Sequence, residues 1–245
     1  MKREINILQS GNIYFFYRPK VENSSNYKEG VQRFFFVLQP QNQNKYYLLM
    51  VGKKQLPPTE KNNYFLFLEA IKNDKEELLS ALGEKHYSTK TKGERTLLVS
   101  RCLGVGKYLL VSHYNHTHFI YQLTNPSQIK EIQKEFNLQK EDDYLVSIKN
   151  PQATTPSGVG LAEKQKAKFP PALQNKFANY SFIPLATSEF LDYEGVELLL
   201  ISHQQQNLAQ REKELENCLE KIHPANLLKE FAKIISPEAI APIEN

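Results

Sequence analysis

Short runs of aromatic and β-branched residues, apolar at successive positions, constrain the fold of this chain more than any other feature. Such runs are typical of β-strands, and Gly, Pro and Asn separate them here. A strand with one wet face would alternate apolar and polar residues, so these strands need cover on both faces or closure into a barrel-like sheet. The predicted strands cover residues 13–19, 32–38, 46–53, 64–71, 96–101, 108–114, 118–123, 144–149, 181–185 and 196–202.

Three short helices interrupt the strands. The first covers residues 74–82, with Asp74 as its N-cap, Glu77 in the capping-box position and Gly83 as its stop. The others are predicted over residues 127–136 and 161–168, with a loop over 150–160 before the last. This order predicts an α+β fold whose many-stranded sheet is mixed or mainly antiparallel, and open or barrel-like.

The character of the chain changes near its C-terminal end. Leu208, Leu215 and Ile222 recur every seven residues on a polar helical segment, and Pro224 ends that pattern before a second amphipathic stretch. We therefore divide the chain into an α+β body (1–203), a helical appendage (204–235) and a flexible tail (236–245). The appendage is expected either to pack on the body or to bind a protein partner or a second copy of the chain.

Composition excludes several classes of protein. The longest wholly apolar run has six residues, whereas a membrane-spanning helix needs about 20. No apolar stretch follows the charged residues 1–4, so we expect no secretory signal peptide. Cys102 and Cys218 are too few for a disulfide framework or a cysteine-rich zinc site, and this usage favours the reducing cytoplasm.

The distribution of charge suggests an anionic partner. Residues 1–125 hold 18 Lys and Arg against 10 Asp and Glu, a net charge of +8, while residues 126–245 carry −4. Cations interleaved with aromatic residues are typical of proteins that bind single-stranded nucleic acid. Alternatively, the lysines only keep a strand-rich region in solution and the aromatic residues form its core. The candidate nucleic-acid-binding residues are Arg18, Lys20, Arg33, Lys53, Lys54, Lys90, Lys92 and Arg95.

A cluster of three histidines is the one candidate metal site. His116 and His118 would project from the same face of an extended strand, and His113 would reach them across a tight turn. The hypothesis is a metal-dependent enzyme with a divalent metal as its cofactor. However, no carboxylate lies between Arg95 and Ile129 to complete the ligand set. A polar hairpin tip is the alternative interpretation.

Other catalytic motifs do not meet their requirements. Residues 104–107 are Gly-rich, but a strand rather than a helix follows them, which predicts a hairpin turn instead of a phosphate-binding loop. The chain has no GxSxG motif. Asp192, Glu194 and Glu197 flank one turn and would serve acid–base chemistry only if burial raised the pKa of one of them. Otherwise they line a solvated turn.

Two resemblances rest on short phrases of the sequence. Residues 14–21, 31–40, 51–57, 116–123, 147–151, 158–161 and 190–201 are similar to a group of bacterial conserved hypothetical proteins. This resemblance implies a bacterial cytoplasmic protein and no particular activity. Residues 11–17 also resemble an aromatic strand of PUA- and EVE-like barrels, which bind modified bases, although the Trp positions of those barrels are missing here.

These observations favour a non-enzymatic binding or interaction protein without a cofactor. Nucleic-acid binding and a metal-dependent reaction at the three histidines are the two alternatives.

Overall fold

The computed structural model of the protein describes residues 5–21, 30–41, 43–58, 62–89, 93–113, 115–154 and 160–202. The strands are β1 (Ile5–Pro19), β2 (Val31–Pro40), β3 (Tyr46–Val51), β4 (Asn63–Lys72), β5 (Lys85–Thr89), β6 (Gly93–Leu97), β7 (Arg101–His113), β8 (His116–Asn125), β9 (Glu141–Lys149), β10 (Phe182–Pro184) and β11 (Glu197–Ser202). The α-helices are α1 (Lys75–Leu82), α2 (Glu131–Glu135) and α3 (Pro171–Gln174), and short 3-10 turns cover Glu163–Gln165, Asn175–Phe177 and Ser188–Asp192.

Eight strands form a closed antiparallel barrel. Their order is β9, β11, β4, β3, β2, β1, β7 and β8, and β8 pairs again with β9. Strand β10 also pairs with β9, at the end of β9 beyond the residues that pair with β8. Every recorded pairing is antiparallel. The prediction of a mainly antiparallel, barrel-like sheet is confirmed, and the mixed alternative is wrong.

The consecutive aromatic residues follow from burial on both sides of the barrel wall. Along β1, Ile13, Phe15 and Tyr17 belong to the core inside the barrel, while Tyr14 and Phe16 belong to a second core outside it. The interior is filled by aromatic contacts such as Phe15 with Tyr121, at 5.0 Å between ring centroids. The apolar space left near Phe36 and Phe119 is about 10 Å³. A water molecule needs at least that much room, so this space is too small for an organic ligand.

Both ends of the barrel are closed by apolar side chains. At one end Phe136, which follows α2, packs against Tyr17 and Phe34 at 5.3 and 5.0 Å between ring centroids. At the other end Leu185 and Leu191 cover the barrel side chains. The side chains that close the barrel ends come from segments that connect the strands, so these connecting segments are part of the core.

Helix α1 covers the outer face of β1, β2 and β3. Asp74 accepts a hydrogen bond from the Glu77 N–H at 2.8 Å, and the Gly83 N–H donates to the Leu79 carbonyl at the other end. These are the predicted caps, and both are confirmed. Leu78 and Leu82 pack into the second core. We call this outer surface the helix-covered face.

Three local predictions differ from the structure. The helix predicted over 127–136 begins only at Glu131. Residues 161–168 contain a single 3-10 turn, because the Leu161 and Ala167 N–H groups bond to Glu197 and Gly195 outside the segment. Residues 104–107 lie inside β7 and form no turn. A Cβ at Gly106 would stand 2.1 Å from the Gln122 carbonyl oxygen, so glycine permits the close approach of β7 and β8.

The predicted helical appendage and tail lie outside the described residues. Among the described helices, none combines the length and the apolar character that crossing a membrane requires.

Candidate ligand-binding cleft

A cleft of about 820 Å³ opens on the outer side of the barrel beside the helix-covered face, and its lining residue Met50 also packs against the second core. Its floor comes from β2, β3 and β4, and its walls are residues 161–168 and the turn at 192–195. We call residues 160–168 the strap. The cleft is lined by Arg33, Met50, Phe67, Leu68, Glu69, Leu161, Lys164, Gln165, Lys166, Lys168, Asp192, Tyr193, Glu194 and Gly195.

Polar contacts hold the strap at both of its ends. The Leu161 N–H donates to Glu197 Oε1 at 2.9 Å, and the Ala167 N–H donates to the Gly195 carbonyl at 3.1 Å. Gly195 has a φ of +83°, and a Cβ there would lie 2.0 Å from the Gln165 carbonyl oxygen. Glycine at 195 is therefore required for the strap to pass this closely.

A buried ion pair lies beneath the strap. Lys149 Nζ donates to Glu197 Oε2 at 2.6 Å, and each side chain is only 2% exposed. Glu197 thus uses one oxygen for Lys149 and the other for the strap backbone. Because an unpaired buried charge is costly, the pair ties the position of the strap to β9 and β11.

The floor of the cleft is apolar. Met50 and Phe67 face it from neighbouring strands, and Phe67 stacks on Phe65 at 6.0 Å between ring centroids. Tyr193 closes one side and makes an edge contact with Phe169 at 5.5 Å. These rings offer a flat apolar surface of the kind that ligand sites use to bind the body of an organic molecule.

Most charged groups around the cleft already have partners. Arg33 Nη1 lies 2.6 Å from Glu69 Oε1, and Lys166 Nζ lies 2.7 Å from Glu163 Oε2. Asp192 Oδ1 accepts from Lys45 Nζ at 2.7 Å. It also accepts from the Tyr47 hydroxyl at 3.2 Å. Burial, and then the charge of Asp192, raise the pKa of Tyr47, so its hydroxyl stays protonated and can donate.

Lys164 and Lys168 are the exceptions. Both side chains line the cleft and neither has a hydrogen bond or ion pair within the part of the chain that the structure describes. Lysines at positions 164, 166 and 168 alternate along the sequence, a pattern that suits an extended segment with one charged side. This signal was available in the sequence, but the prediction of a helix over 161–168 concealed it.

The structure separates the predicted nucleic-acid-binding cations. Arg18 is 5% exposed and its guanidinium donates to the carbonyl oxygens of Ala81, Gly83 and Leu98. Desolvation, and then Arg33, lower the pKa of Arg18. Because its donors are engaged by backbone carbonyls near the end of α1, Arg18 contributes to the fold.

The other cations lie in three places. Arg33 lines the cleft, and Arg95 is exposed on the β5–β6 hairpin. Lys20, Lys53 and Lys54 lie at one end of the barrel and are all exposed. Burial, and then the charge of Lys20, lower the pKa of Lys54, whose Nζ donates to the Val31 carbonyl at 2.8 Å. Lys90 and Lys92 lie outside the described residues.

The aromatic residues that accompany these cations do not form a stacking surface. Phe15, Phe35 and Tyr47 are each at most 2% exposed. They fill the two cores of the barrel wall, and solvent does not reach their faces. A base therefore has no access to them.

The histidine cluster is built differently from the predicted metal site. His116 and His118 are adjacent, with 5.0 Å between ring centroids, but His118 Nδ1 lies 2.9 Å from Asp143 Oδ1 on the neighbouring strand. The backbone of His113 pairs with His116 across the β7–β8 hairpin. No three His, Cys, Asp or Glu side chains among the described residues gather as a metal site requires. Asp143 lies 25 residues from His118, so inspection of the nearby sequence missed it.

The predicted acidic turn is divided between two environments. Asp192 and Glu194 line the cleft, whereas Glu197 is buried with Lys149. Glu194 Oε1 accepts from the Ile71 N–H at 2.8 Å. The turn thus contributes to the wall of the cleft and to the support of the strap.

Comparisons with known proteins add no relative. No family model, no curated protein and no solved structure matches this chain. The function is therefore argued from the geometry and chemistry of the cleft.

Proposed function

We propose that this protein is a binding protein without catalytic activity, and that the cleft between the barrel and the strap takes a small organic ligand. The volume of about 820 Å³ lies within the range of about 300–1,000 Å³ that is usual for ligand sites. An apolar floor with a few polar groups at its edge is the common design of such sites.

The unpaired ammonium groups of Lys164 and Lys168 carry this proposal. They stand beside the apolar surface of Met50, Phe67 and Tyr193. This combination suits a ligand with an apolar body and a negatively charged group. The described lining residues include no Ser, Thr, Cys or His, which is why we propose binding rather than catalysis by one of these nucleophiles.

Binding of the fluorescent probe 8-anilinonaphthalene-1-sulfonate tests the proposal, because the probe joins aromatic rings to a sulfonate. We expect the folded protein to bind one equivalent with an increase in fluorescence. The double reversal Lys164→Glu/Lys168→Glu should weaken binding at least about tenfold, since it replaces attraction by repulsion. The matched control Lys53→Glu/Lys176→Glu changes the net charge equally but lies outside the cleft lining.

Two outcomes would overturn the proposal. In the first, the folded wild-type protein would fail to bind the probe. In the second, the two double variants would weaken binding equally. Circular dichroism of each variant establishes that it is folded before the titration.

Binding of nucleic acid is a second candidate function, favoured by one observation. Lys20 and Lys54 lie close enough for the charge of one to lower the pKa of the other. Paired cations at the end of a barrel would contact phosphate groups. A salt-dependent gel shift with random RNA and DNA tests this candidate. The variant Lys20→Ala/Lys54→Ala should abolish the shift, and absence of any shift at low salt with the wild-type protein would remove the candidate.

A further inference from the structure

The two walls of the cleft carry opposite charges. Lys164, Lys166 and Lys168 belong to the strap. Glu69 from β4, and Asp192 and Glu194 from the turn that is hydrogen-bonded to the strap, supply carboxylates. Among the described lining residues, Arg33 on β2 is the one cation outside the strap, and it is paired with Glu69. The cleft is therefore polarised between its strap and its barrel side.

Each of the three carboxylates keeps one oxygen available. Glu69 uses Oε1 for Arg33 and Asp192 uses Oδ1 for Lys45 and Tyr47. Glu194 uses Oε1 for the Ile71 N–H. The second oxygen of each group has no hydrogen-bond donor within the described residues. The barrel side thus offers acceptors, while Lys164 and Lys168 offer donors across the same space.

We infer that the ligand is a zwitterion with an apolar body, of the class of amino acids and short peptides with free ends. This inference rests on the proposed function of the cleft. Its carboxylate binds Lys164 and Lys168, its ammonium group binds the available oxygens of Glu69, Asp192 and Glu194, and its side chain packs on Met50 and Phe67. A ligand with only a negative charge would leave the second oxygens of the three carboxylates without a donor, and a ligand with only a positive charge would leave Lys164 and Lys168 without an acceptor.

Isothermal titration with four related compounds tests the inference. They are the dipeptide phenylalanyl-phenylalanine, its N-acetyl derivative, its C-terminal amide and free phenylalanine. We expect the unmodified dipeptide to bind, and acetylation or amidation each to weaken binding about tenfold or more, because each removes one charge-assisted contact. Free phenylalanine distinguishes two kinds of site. Binding as tight as that of the dipeptide indicates an amino-acid site, and weaker binding indicates a peptide site.

Protein variants assign each end of the ligand to one wall. In Lys164→Ala/Lys168→Ala, the dipeptide and its amide should bind equally, since the wall that distinguishes them is lost. In Glu194→Gln, the acetylated and free dipeptides should differ less, while the Gln oxygen can still accept from the Ile71 N–H. Lys53→Ala serves as the matched control and should preserve both differences.

The outcomes separate the inference from the proposed function. If the naphthalene sulfonate binds but neither the dipeptide nor phenylalanine does, the zwitterion inference is wrong and the binding function stands. The inference is equally overturned if the acetylated or amidated dipeptide binds as well as the parent. If neither probe class binds, both proposals fail together.

Discussion

The barrel has two covered outer faces, and they differ in the interactions that hold their covering segments. On the helix-covered face, α1 places Leu78 and Leu82 against aromatic side chains of β1 and β2. The second face, which we call the strap-covered face, is the outer side of β4, β11 and β9 beneath the strap. There the strap is fastened by backbone hydrogen bonds and by the Lys149–Glu197 pair.

This difference explains why the cleft opens along the strap. A helix fills space because its side chains repeat on one side and interdigitate with the sheet. The strap contains only one 3-10 turn and is held at its two ends, so it contacts the barrel only locally. Apolar packing thus leaves α1 in close contact with the barrel, whereas the polar contacts of the strap leave about 820 Å³ open between the strap and the barrel.

The largest expected effect concerns the buried Lys149–Glu197 ion pair, which helps to hold the strap. Lys149→Met leaves the Glu197 carboxylate buried without its cation, so we expect a loss of about 3–5 kcal/mol in the free energy of unfolding. The double variant Lys149→Met/Glu197→Gln removes both charges and keeps an acceptor for Leu161. It should therefore recover more than half of that loss. Urea denaturation measures both values.

An exposed ion pair supplies the control. Lys134 and Glu131 lie 2.6 Å apart but are 59% and 84% exposed, so Lys134→Met should change stability by less than about 1 kcal/mol. Equal effects of Lys149→Met and Lys134→Met would mean that the strap-covered face does not depend on its buried pair.

The helix-covered face should depend on volume instead of charge. Leu78 is fully buried, so Leu78→Ala should cost about 3 kcal/mol through lost contacts and the cavity that remains. Binding of the naphthalene sulfonate to the cleft should remain within about twofold of wild type at a temperature where the variant is folded. A large change in probe binding would show that the two faces are coupled and would break the comparison.

On the helix-covered face, Arg18 makes polar contacts that hold the end of α1. Arg18→Met removes the donor to three carbonyl oxygens near the end of α1, and we expect a loss of about 2 kcal/mol in urea denaturation. Arg33→Met, on the neighbouring strand in an exposed pair with Glu69, should cost less than about 1 kcal/mol. If both variants were equally mild, Arg18 would not anchor the helix.

The smallest effect is a difference in thiol reactivity between the faces. Burial raises the pKa of Cys102, at the edge of the helix-covered face, to about 12. Because a raised pKa keeps the thiol protonated, only about one part in ten thousand is thiolate at pH 8. In a Cys218→Ser background, alkylation of Cys102 by iodoacetamide should be slow and should rise about tenfold per pH unit up to pH 10.

A thiol on the strap-covered face gives the contrast. Cys102→Ser/Cys218→Ser/Lys164→Cys should react rapidly and level off near the ordinary thiol pKa of about 8.5, because position 164 lines an open cleft. If Cys102 reacted as fast as this thiol, the helix-covered face would not be closed.

Much of the barrel was predictable from local sequence. Apolar runs on both faces of the strands indicated a barrel-like or doubly covered sheet, and the structure has both, with closure on the inside and α1 outside. The caps of α1 were predicted because Asp74, Glu77 and Gly83 act within a few residues of one another. The prediction of a helix at the strap was wrong, because the N–H groups near its two ends bond to Glu197 and Gly195 and local bonds form only one 3-10 turn.

The sequence by itself determined which segments form strands, the caps of α1 and the burial of the aromatic runs, because these depend on residue type and on spacing along the chain. Only the tertiary structure decided the closure of the barrel, the pairing of Lys149 with Glu197 across 48 residues, the contact of His118 with Asp143 and the meeting of strap and turn around a cleft. The physical reason is that pairing and desolvation depend on neighbours in space. A charged residue shows in the sequence only its charge, while the fold decides whether it is buried with a partner or left available to a ligand.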